Sequence, residues 1–151
     1  MHLLNKYVTF KRYSELRQKS GKRHLSSLHN QCLQIQIECE QLTGAIELQR
    51  QFAESGHLVG EIIDRQRLFS WMRKNAIVLR KVQELRLELH KCQTRKIECE
   101  EKFESQRLLC KRLDLKQEKY TELVMFEKKK QCIKSINFEE SEIEAKLSWT
   151  K

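Results

Sequence analysis

The chain has 151 residues, with 30 Lys and Arg against 21 Asp and Glu, a net charge of +9 at pH 7, four glycines and no proline. With 39% hydrophobic and 34% charged residues, its composition is typical of long helices with a narrow apolar seam rather than of a globular domain. Such a seam leaves no room for a buried active site, and the five histidines are scattered, so we expect no catalytic residues, no cofactor and no enzymatic activity.

The first predicted element is a helix over about residues 3–53. Its clearest seam advances in steps of three and four residues through Leu25, Leu28, Cys32, Ile35, Cys39, Leu42, Ile46 and Gln49. Nearer the N-terminus the apolar residues fall into two other frames: Leu3, Tyr7 and Phe10, then Tyr13 and Leu16. Such a change of frame predicts a stutter or a local bend near Ser20 and Gly21.

A short segment over about residues 54–60 predicts a reversal of the chain. Gly56 and Gly60 can adopt the left-handed backbone conformation with which many helices end, and Gly56 is a candidate C-terminal cap. Glu61 and Asp64 then place negative charge at the start of the next helix, where the helix dipole favours it. We therefore expect two helices joined by a tight connection.

The second predicted helix extends over about residues 61–135 and carries the longest regular pattern in the chain. Its seam is Leu68, Trp71, Asn75, Val78, Val82, Leu85, Leu89, Cys92, Lys96, Cys99, Phe103, Gln106, Cys110, Leu113, Gln117, Tyr120 and Val124. The remaining tail, 136–151, contains an acidic cluster without firm periodicity. We expect this tail either to fray or to form a short helix.

Two long seams joined by a short reversal predict an all-α fold, a long antiparallel two-helix coiled-coil hairpin in which residues 1–151 form one domain. Folding about the loop places Cys39 opposite Val78 and Cys32 opposite Leu85. In this register no cysteine faces another, so we expect no disulfide across the hairpin. The register also leaves the far part of the second helix without intramolecular cover, namely Tyr120, Val124, Met125, Phe126 and Ile133.

Other classes of partner find little support in the residues. The six cysteines include no Cys-x-x-Cys pair, so we expect no metal site, and without a signal peptide they indicate a reducing compartment. No apolar run approaches the roughly 20 residues that cross a membrane, so we expect a soluble, cytoplasmic protein without membrane insertion. Acidic residues are mixed with basic ones along most of the chain, so we expect no nucleic-acid partner.

Residues 61–92 resemble a known family. The shared pattern consists of Leu68, Arg73, Lys74, Ile77, Val78, Arg80 and Leu85. The pattern is similar to that of the central stalk proteins of bacterial type III secretion systems, in the Inv/Spa branch of the YscO/FliJ-like proteins. The chain length, the two-helix layout and the basic N-terminus agree with this resemblance.

The resemblance implies a monomeric stalk that links the hexameric secretion ATPase to the cytoplasmic domain of the export gate. It also implies a role in handling secretion chaperones. For the ATPase contact we expect Tyr7, Phe10, Lys11, Arg12, Tyr13, Tyr120, Val124, Met125 and Phe126. For the export-gate contact we expect Leu68, Phe69, Met72, Arg73 and Lys74. Two readings of the off-seam Phe69 and Met72 stay open, an exposed contact surface or a wider core near the loop.

The sequence also allows a different class of protein, a homodimeric coiled-coil scaffold or adaptor. In that case the two glycines near residue 58 would mark a local irregularity within a longer helix rather than a reversal. The mass of the protein in solution separates the two hypotheses, because a stalk should be a monomer.

Overall fold

The computed structural model describes residues 2–56, 60 and 62–149. Its helices are α1, His2–Ser55, and α2, Arg65–Ser148. They account for nearly all of the described residues, none of which lies in a strand. The predicted all-α class with two long helices is confirmed.

The segment between the helices contains a left-handed glycine, as predicted. Gly60 has a φ of +89°, a conformation that residues with a Cβ rarely adopt. Gly56 does not adopt a positive φ, so its expected role as a left-handed helix cap is wrong. Instead its carbonyl oxygen accepts a hydrogen bond of 2.6 Å from Nε1 of Trp71. Residues 57–59 of the predicted loop lie outside the described residues.

The second helix begins and ends later than predicted. Asp64 directly precedes it, and the Asp64 carbonyl oxygen accepts a hydrogen bond of 3.1 Å from the amide of Leu68. Glu61, the other predicted first-turn acid, lies outside the described residues. At the far end α2 continues to Ser148 rather than to about residue 135. The reason is that no glycine or proline follows Gly60, and strong helix formers continue past the point where the seam pattern is lost.

The helices pair in two units. The loop unit is Ser26–Glu104, and the terminal unit consists of Met1–Leu25 with Ser105–Lys151. In each unit a segment of α1 packs antiparallel against a segment of α2. The hydrogen bond from Arg95 to Glu38 is an example in the loop unit, and the ring contact between Phe10 and Tyr120 is one in the terminal unit. The antiparallel two-helix fold is thereby confirmed.

The predicted seams coincide with the covered positions of both helices. Every predicted seam residue of α1 from Leu25 to Gln49 is buried or half-buried, as is every one of α2 from Trp71 to Val124. The exception is Leu68, which is 41% exposed. Heptad periodicity therefore identified which face of α2, and of α1 from Leu25 onward, is covered.

The predicted register between the helices is wrong. Cys39 faces Cys92, with 2.7 Å between the two Sγ atoms, two heptads further along α2 than the predicted Val78. The contact between the His29 and Phe103 rings (5.8 Å between centroids) follows the same register. A slip by whole heptads keeps apolar residues in the seam, so the seam pattern alone could not distinguish these pairings.

The predicted stutter near Gly21 is also wrong. α1 is one helix through this point, and its covered positions continue in the frame of Leu25 through residues that are mostly polar or small. They are Leu4, Tyr7, Lys11, Ser14, Gln18 and Gly21. A Cβ added at Gly21 would lie 3.3 Å from Cδ1 of Leu113 and 3.4 Å from Sγ of Cys110. Close approach of α2, rather than a bend, explains this glycine.

Candidate interaction surfaces

The terminal unit carries an aromatic cluster on its surface. The rings of Phe10 and Tyr120 lie 6.0 Å apart at an angle of 36°. The ammonium of Lys6 lies 5.8 Å from the centroid of the Phe10 ring, within the range of a cation–π contact. Phe10 and Tyr13 are exposed because the covered face of α1 lies in another frame. Phe10 and Tyr13, which the apolar pattern placed in two different frames of α1, are thus both exposed on the surface of the terminal unit.

These aromatic residues line a groove of about 170 Å³ between α1 and α2. The groove, here called the terminal groove, is lined by Phe10, Tyr13, Ser14, Arg17, Leu113, Lys116 and Tyr120. Ser14 is buried, and its Oγ has no hydrogen-bond partner among the described residues. Arg17 and Lys116 add positive charge to the rim. An apolar groove with cationic edges fits a partner surface on which an apolar or aromatic side chain lies next to an acidic residue.

The seam next to the terminal groove contains several polar side chains that interact between α1 and α2. Gln18 donates a hydrogen bond to Asp114, and Lys22 lies 3.4 Å from the same carboxylate. These partners hold the pKa of Asp114 below its ordinary value, with the hydrogen bond from Gln18 as the largest cause. Gln117 donates a 3.1 Å hydrogen bond to Glu15 across the same pair of helices. Polar layers of this kind specify a pairing but contribute less stability than apolar ones.

The predicted ATPase-side residues divide into exposed and covered groups. Phe10, Arg12, Tyr13, Met125 and Phe126 are exposed, and Tyr7, Lys11 and Tyr120 are half-buried. Val124 is only 6% exposed, so the expectation that it lies without cover is wrong. Tyr120 is likewise packed against Phe10, because the corrected register extends the paired region along α2. Met125, Phe126 and Ile133 are exposed, as predicted.

The loop unit carries a second exposed apolar cluster, at the start of α2. Leu68, Phe69 and Met72 are 41%, 48% and 52% exposed, so the reading in which Phe69 and Met72 widen the core is wrong. The guanidinium of Arg65 lies 5.7 Å from the Phe69 ring centroid. Arg73 and Lys74 are exposed beside them. The five predicted export-gate residues are therefore all exposed, and together they are called the loop surface.

Two exposed apolar residues near the loop were not predicted. Phe52 lies in the last turn of α1, and Ile62 precedes α2; both are largely solvent-exposed. The available signal was their position next to the predicted reversal and outside both seams. Large apolar side chains exposed at such a place commonly mark a partner surface.

The end of α2 exposes a further set of apolar side chains, most of them in the tail, 136–151, that was expected either to fray or to form a short helix. Ile133, Ile136, Phe138 and Ile143 are all exposed on a continuous helix. Acidic residues stand among them, namely Glu139, Glu140, Glu142 and Glu144. The missed signal was the spacing of Ile133, Ile136 and Ile143, which places them on one side of a helix.

The described residues show neither a metal-binding cluster nor a membrane-spanning helix. No group of three or more His, Cys, Asp or Glu side chains among them is placed to hold a metal ion. Over their described parts, neither α1 nor α2 has a stretch both long and apolar enough to cross a membrane.

Comparison with known proteins identifies the family. A family model described as Salmonella surface presentation of antigen gene type M protein matches residues 5–147. No curated protein and no solved structure matches the chain. The family match includes both helices and the terminal groove and loop surface that they carry. The chain therefore belongs to the Salmonella surface presentation of antigen type M family, whose members are type III secretion stalk-type proteins.

Proposed function

We propose that this chain is the central stalk of a type III secretion system, located in the bacterial cytoplasm beside the secretion apparatus. In this role it links the hexameric secretion ATPase to the cytoplasmic domain of the export gate and promotes protein export. The observation that carries the proposal is the presence of two separate exposed surfaces on a two-helix protein of this family. Both combine aromatic and aliphatic side chains with cations, but the terminal groove is a concave site between the two helices, whereas the loop surface lies on α2 alone.

The terminal groove is the proposed contact with the ATPase. Phe10 and Tyr13 offer large apolar area at a low cost in conformational entropy, which is typical of residues that dominate binding energy. Arg17 and Lys116 attract carboxylates and speed encounter with an acidic surface. A single asymmetric stalk inside a ring of identical subunits contacts each subunit differently, so it can favour different states of neighbouring active sites. This effect is a coupling free energy and requires no chemistry on the stalk.

The loop surface is the proposed contact with the export gate. Phe69 and Met72 would enter an apolar pocket of the partner, and Met is well suited to a pocket of irregular shape. Arg73 and Lys74 would then approach acidic groups at the rim of that pocket. Handling of secretion chaperones, which the resemblance of residues 61–92 implies, is also part of the proposal.

The test is hydrolysis of ATP by the cognate secretion ATPase at limiting enzyme as the chain is titrated in. We expect a saturable rise in rate that is complete near one chain per ring. The variant Phe10→Ala with Tyr13→Ala should lose this rise, because both rings line the terminal groove. The matched control is Phe69→Ala with Met72→Ala, which removes similar exposed apolar area from the loop unit and should stimulate as the unaltered chain does.

Equal stimulation by both variants would contradict the assignment of the terminal groove. Absence of any stimulation, together with absence of co-elution with the ATPase, would contradict the stalk proposal itself. Co-elution without stimulation would leave tethering as the function of the contact.

A second candidate function is the homodimeric coiled-coil scaffold, and one observation favours it. Leu33, Ile37 and Leu48 are exposed on α1, at spacings that place them on the same side of the helix. Apart from its chain neighbours and the adjacent backbone of α1, no described atom lies within 4 Å of a Cβ added at Gly44, between them. Such an exposed apolar stripe could pack against the same stripe of a second copy of the chain. Light scattering distinguishes the candidates, because a scaffold of this kind has the mass of a dimer and a stalk that of a monomer.

A further inference from the structure

The corrected register brings two pairs of cysteines together in the loop unit. Sγ of Cys39 lies 2.7 Å from Sγ of Cys92, and one heptad away the thiol of Cys32 interacts with that of Cys99. All four are free thiols. Only a small movement of the side chains would shorten the distance between the Sγ atoms of Cys39 and Cys92 to the S–S bond length of about 2.05 Å.

Both pairs have the same hydrogen-bond arrangement. Cys39 donates to Cys92, and Cys92 donates in turn to the carbonyl oxygen of Ile35, at 3.5 Å. In the second pair Cys99 donates to the carbonyl oxygen of Leu28, at 3.8 Å. In each case the acceptor carbonyl lies one turn before the α1 cysteine. The arrangement repeats with the heptad, so it follows from the packing of the seam.

The two members of each pair differ in access to solvent. Cys92 is 0% exposed and Cys99 is buried, whereas Cys39 and Cys32 are half-buried. A reagent in solution can therefore reach the α1 cysteine of each pair first. The buried α2 cysteine is placed to attack the sulfur of its partner from inside the seam.

We propose that Cys39 with Cys92, and Cys32 with Cys99, form a reversible dithiol–disulfide site that crosslinks α1 to α2. The co-reactant is a disulfide, either a small one such as oxidised glutathione or that of a thiol–disulfide oxidoreductase. This site goes beyond the proposed stalk function and does not depend on it.

The exchange balances in two steps. The Cys39 thiolate attacks the reagent disulfide, the reagent S–S bond breaks, and one reagent thiolate leaves. The Cys92 thiolate then attacks the Cys39 sulfur of the mixed disulfide, and the second reagent thiolate leaves. The protons lost by the two protein thiols end on the two reagent thiols. The protein pair loses two electrons and the reagent gains them.

The environment keeps the site reduced until such a reagent is present. Burial, followed by the thiol of Cys99, raises the pKa of Cys32 to about 11. The hydrogen bond to Cys92 is the largest cause that raises the pKa of Cys39. Glu100 adds to the rise for Cys32, whereas Lys96 and Arg95 oppose the rise for Cys39. A small thiolate fraction at neutral pH makes direct oxidation slow.

A crosslink at this place would have a physical consequence. A seam that repeats every seven residues allows pairings that differ by whole heptads, and only specific layers select one of them. A covalent bond between Cys39 and Cys92 excludes every other pairing. It would also hold the two helices together under conditions that separate them in the reduced protein.

The experiment incubates the purified full chain in mixtures of reduced and oxidised glutathione and then maps disulfides by mass spectrometry. A Cys132→Ser background removes the exposed thiol that could join two chains. We expect peptides that join residue 39 to 92 and residue 32 to 99, with two hydrogens lost per bond, and full reversal by a dithiol reductant. The rate of crosslink formation should rise about tenfold per pH unit at pH values below the pKa of the attacking thiol.

Matched variants assign the pairs. Cys39→Ser should abolish the 39–92 crosslink and retain the 32–99 crosslink, and Cys32→Ser should do the reverse. Cys110→Ser, at a buried cysteine of the terminal unit, should change neither. Circular dichroism checks that each variant keeps its helicity. The Cys132→Ser chain retains all four cysteines of the two pairs, so disulfide mapping of that chain does not depend on whether the other variants fold.

Only mixed disulfides with glutathione, without either internal crosslink, would overturn the proposal. Crosslinks that join other cysteines, or loss of both crosslinks in Cys110→Ser, would overturn it as well.

Discussion

Gln18 donates a hydrogen bond through Nε2 to Oδ1 of Asp114 in the seam of the terminal unit. Lys22 approaches the same carboxylate to 3.4 Å. The hydrogen bond first, and then the charge of Lys22, stabilise the ionised carboxylate and lower the pKa of Asp114 from its ordinary value of 3.8. The folded protein therefore binds fewer protons at this group than the unfolded chain does when both are exposed to acid.

This relationship predicts an acid-dependent loss of stability. The contribution of Asp114 is present above pH 3.8 and is lost as the pH falls through its lower folded-state pKa. Asp114→Asn should lower Tm at neutral pH, and the difference in Tm from the unaltered chain should shrink in acid. Because the carboxylate is partly exposed, salt should also reduce the difference. A difference in Tm that stays constant across the acid range would contradict this role.

Gly21 and Gly44 form a matched pair of helical glycines with opposite surroundings. A Cβ at Gly44 meets no atom within 4 Å, so Gly44→Ala should stabilise the protein by about 1 kcal/mol through helix propensity. A side chain at Gly21 meets Leu113 and Cys110 in the closely packed seam. Gly21→Leu should therefore destabilise by roughly 1–3 kcal/mol through overpacking. Chemical denaturation measures both changes, and a stabilising Gly21→Leu would show that α2 does not approach α1 as closely as described.

Trp71 anchors the start of α2 to the end of α1 through the bond from its Nε1 to the carbonyl oxygen of Gly56. Trp71→Phe keeps most of the ring and removes the donor, so it should cost about 1 kcal/mol. Hydrogen exchange should increase around Gly56, while exchange around Cys92 changes little. The comparison variant is Trp149→Phe, at an exposed position near the end of α2, which should leave the free energy of unfolding nearly unchanged.

Phe69 and Met72 should be required for secretion but not for folding. Phe69→Ala with Met72→Ala removes exposed apolar area from the loop surface, so helicity and Tm should stay close to those of the unaltered chain. If the loop surface contacts the export gate, the double variant abolishes secretion in cells. Leu33→Ala with Leu48→Ala provides the control, because it removes exposed apolar side chains elsewhere in the chain. Normal secretion by the Phe69 and Met72 variant would refute the assignment of the gate contact.

The sequence predicted the covered face of α2, and of α1 from Leu25 onward, and missed how those faces align. The run from Trp71 to Val124 could be identified because burial on a coiled coil repeats every seven residues. The pairing of Cys39 with Cys92 could not, because a slip by two heptads keeps both seams apolar. The frame through Ser14 and Gly21 was missed for another reason: its residues are small or polar, and apolar periodicity does not detect them.

The same reasoning explains which surface residues were predicted correctly. Exposure of Phe69 and Met72 was one of the two interpretations that their position beside the seam left open, and it does not depend on register. Exposure of Val124 was predicted from the register and failed with it. The groove between Phe10 and Tyr120 requires the observed pairing, so no sequence pattern could have located it.

Val124 and Met125 offer a direct measurement of that pairing. Val124 is 6% exposed and its neighbour Met125 is 53% exposed, so one residue is packed in the seam and the other faces solvent. Val124→Ala should destabilise the protein by about 2 kcal/mol, since it removes buried methyl groups from a seam that is otherwise polar nearby. Met125→Ala should change the free energy of unfolding by less than about 0.5 kcal/mol.

The predicted register would produce the opposite pattern of results for Val124, because it leaves both side chains without cover and both substitutions would then be nearly neutral. ATPase stimulation supplies an independent readout. A buried side chain cannot contact the hexameric ATPase. The folded Val124→Ala variant should therefore stimulate ATP hydrolysis normally at a temperature well below its Tm. Loss of stimulation without loss of stability would mean that Val124 is accessible to the ATPase, and the pairing of α1 with α2 in the terminal unit would have to open on binding.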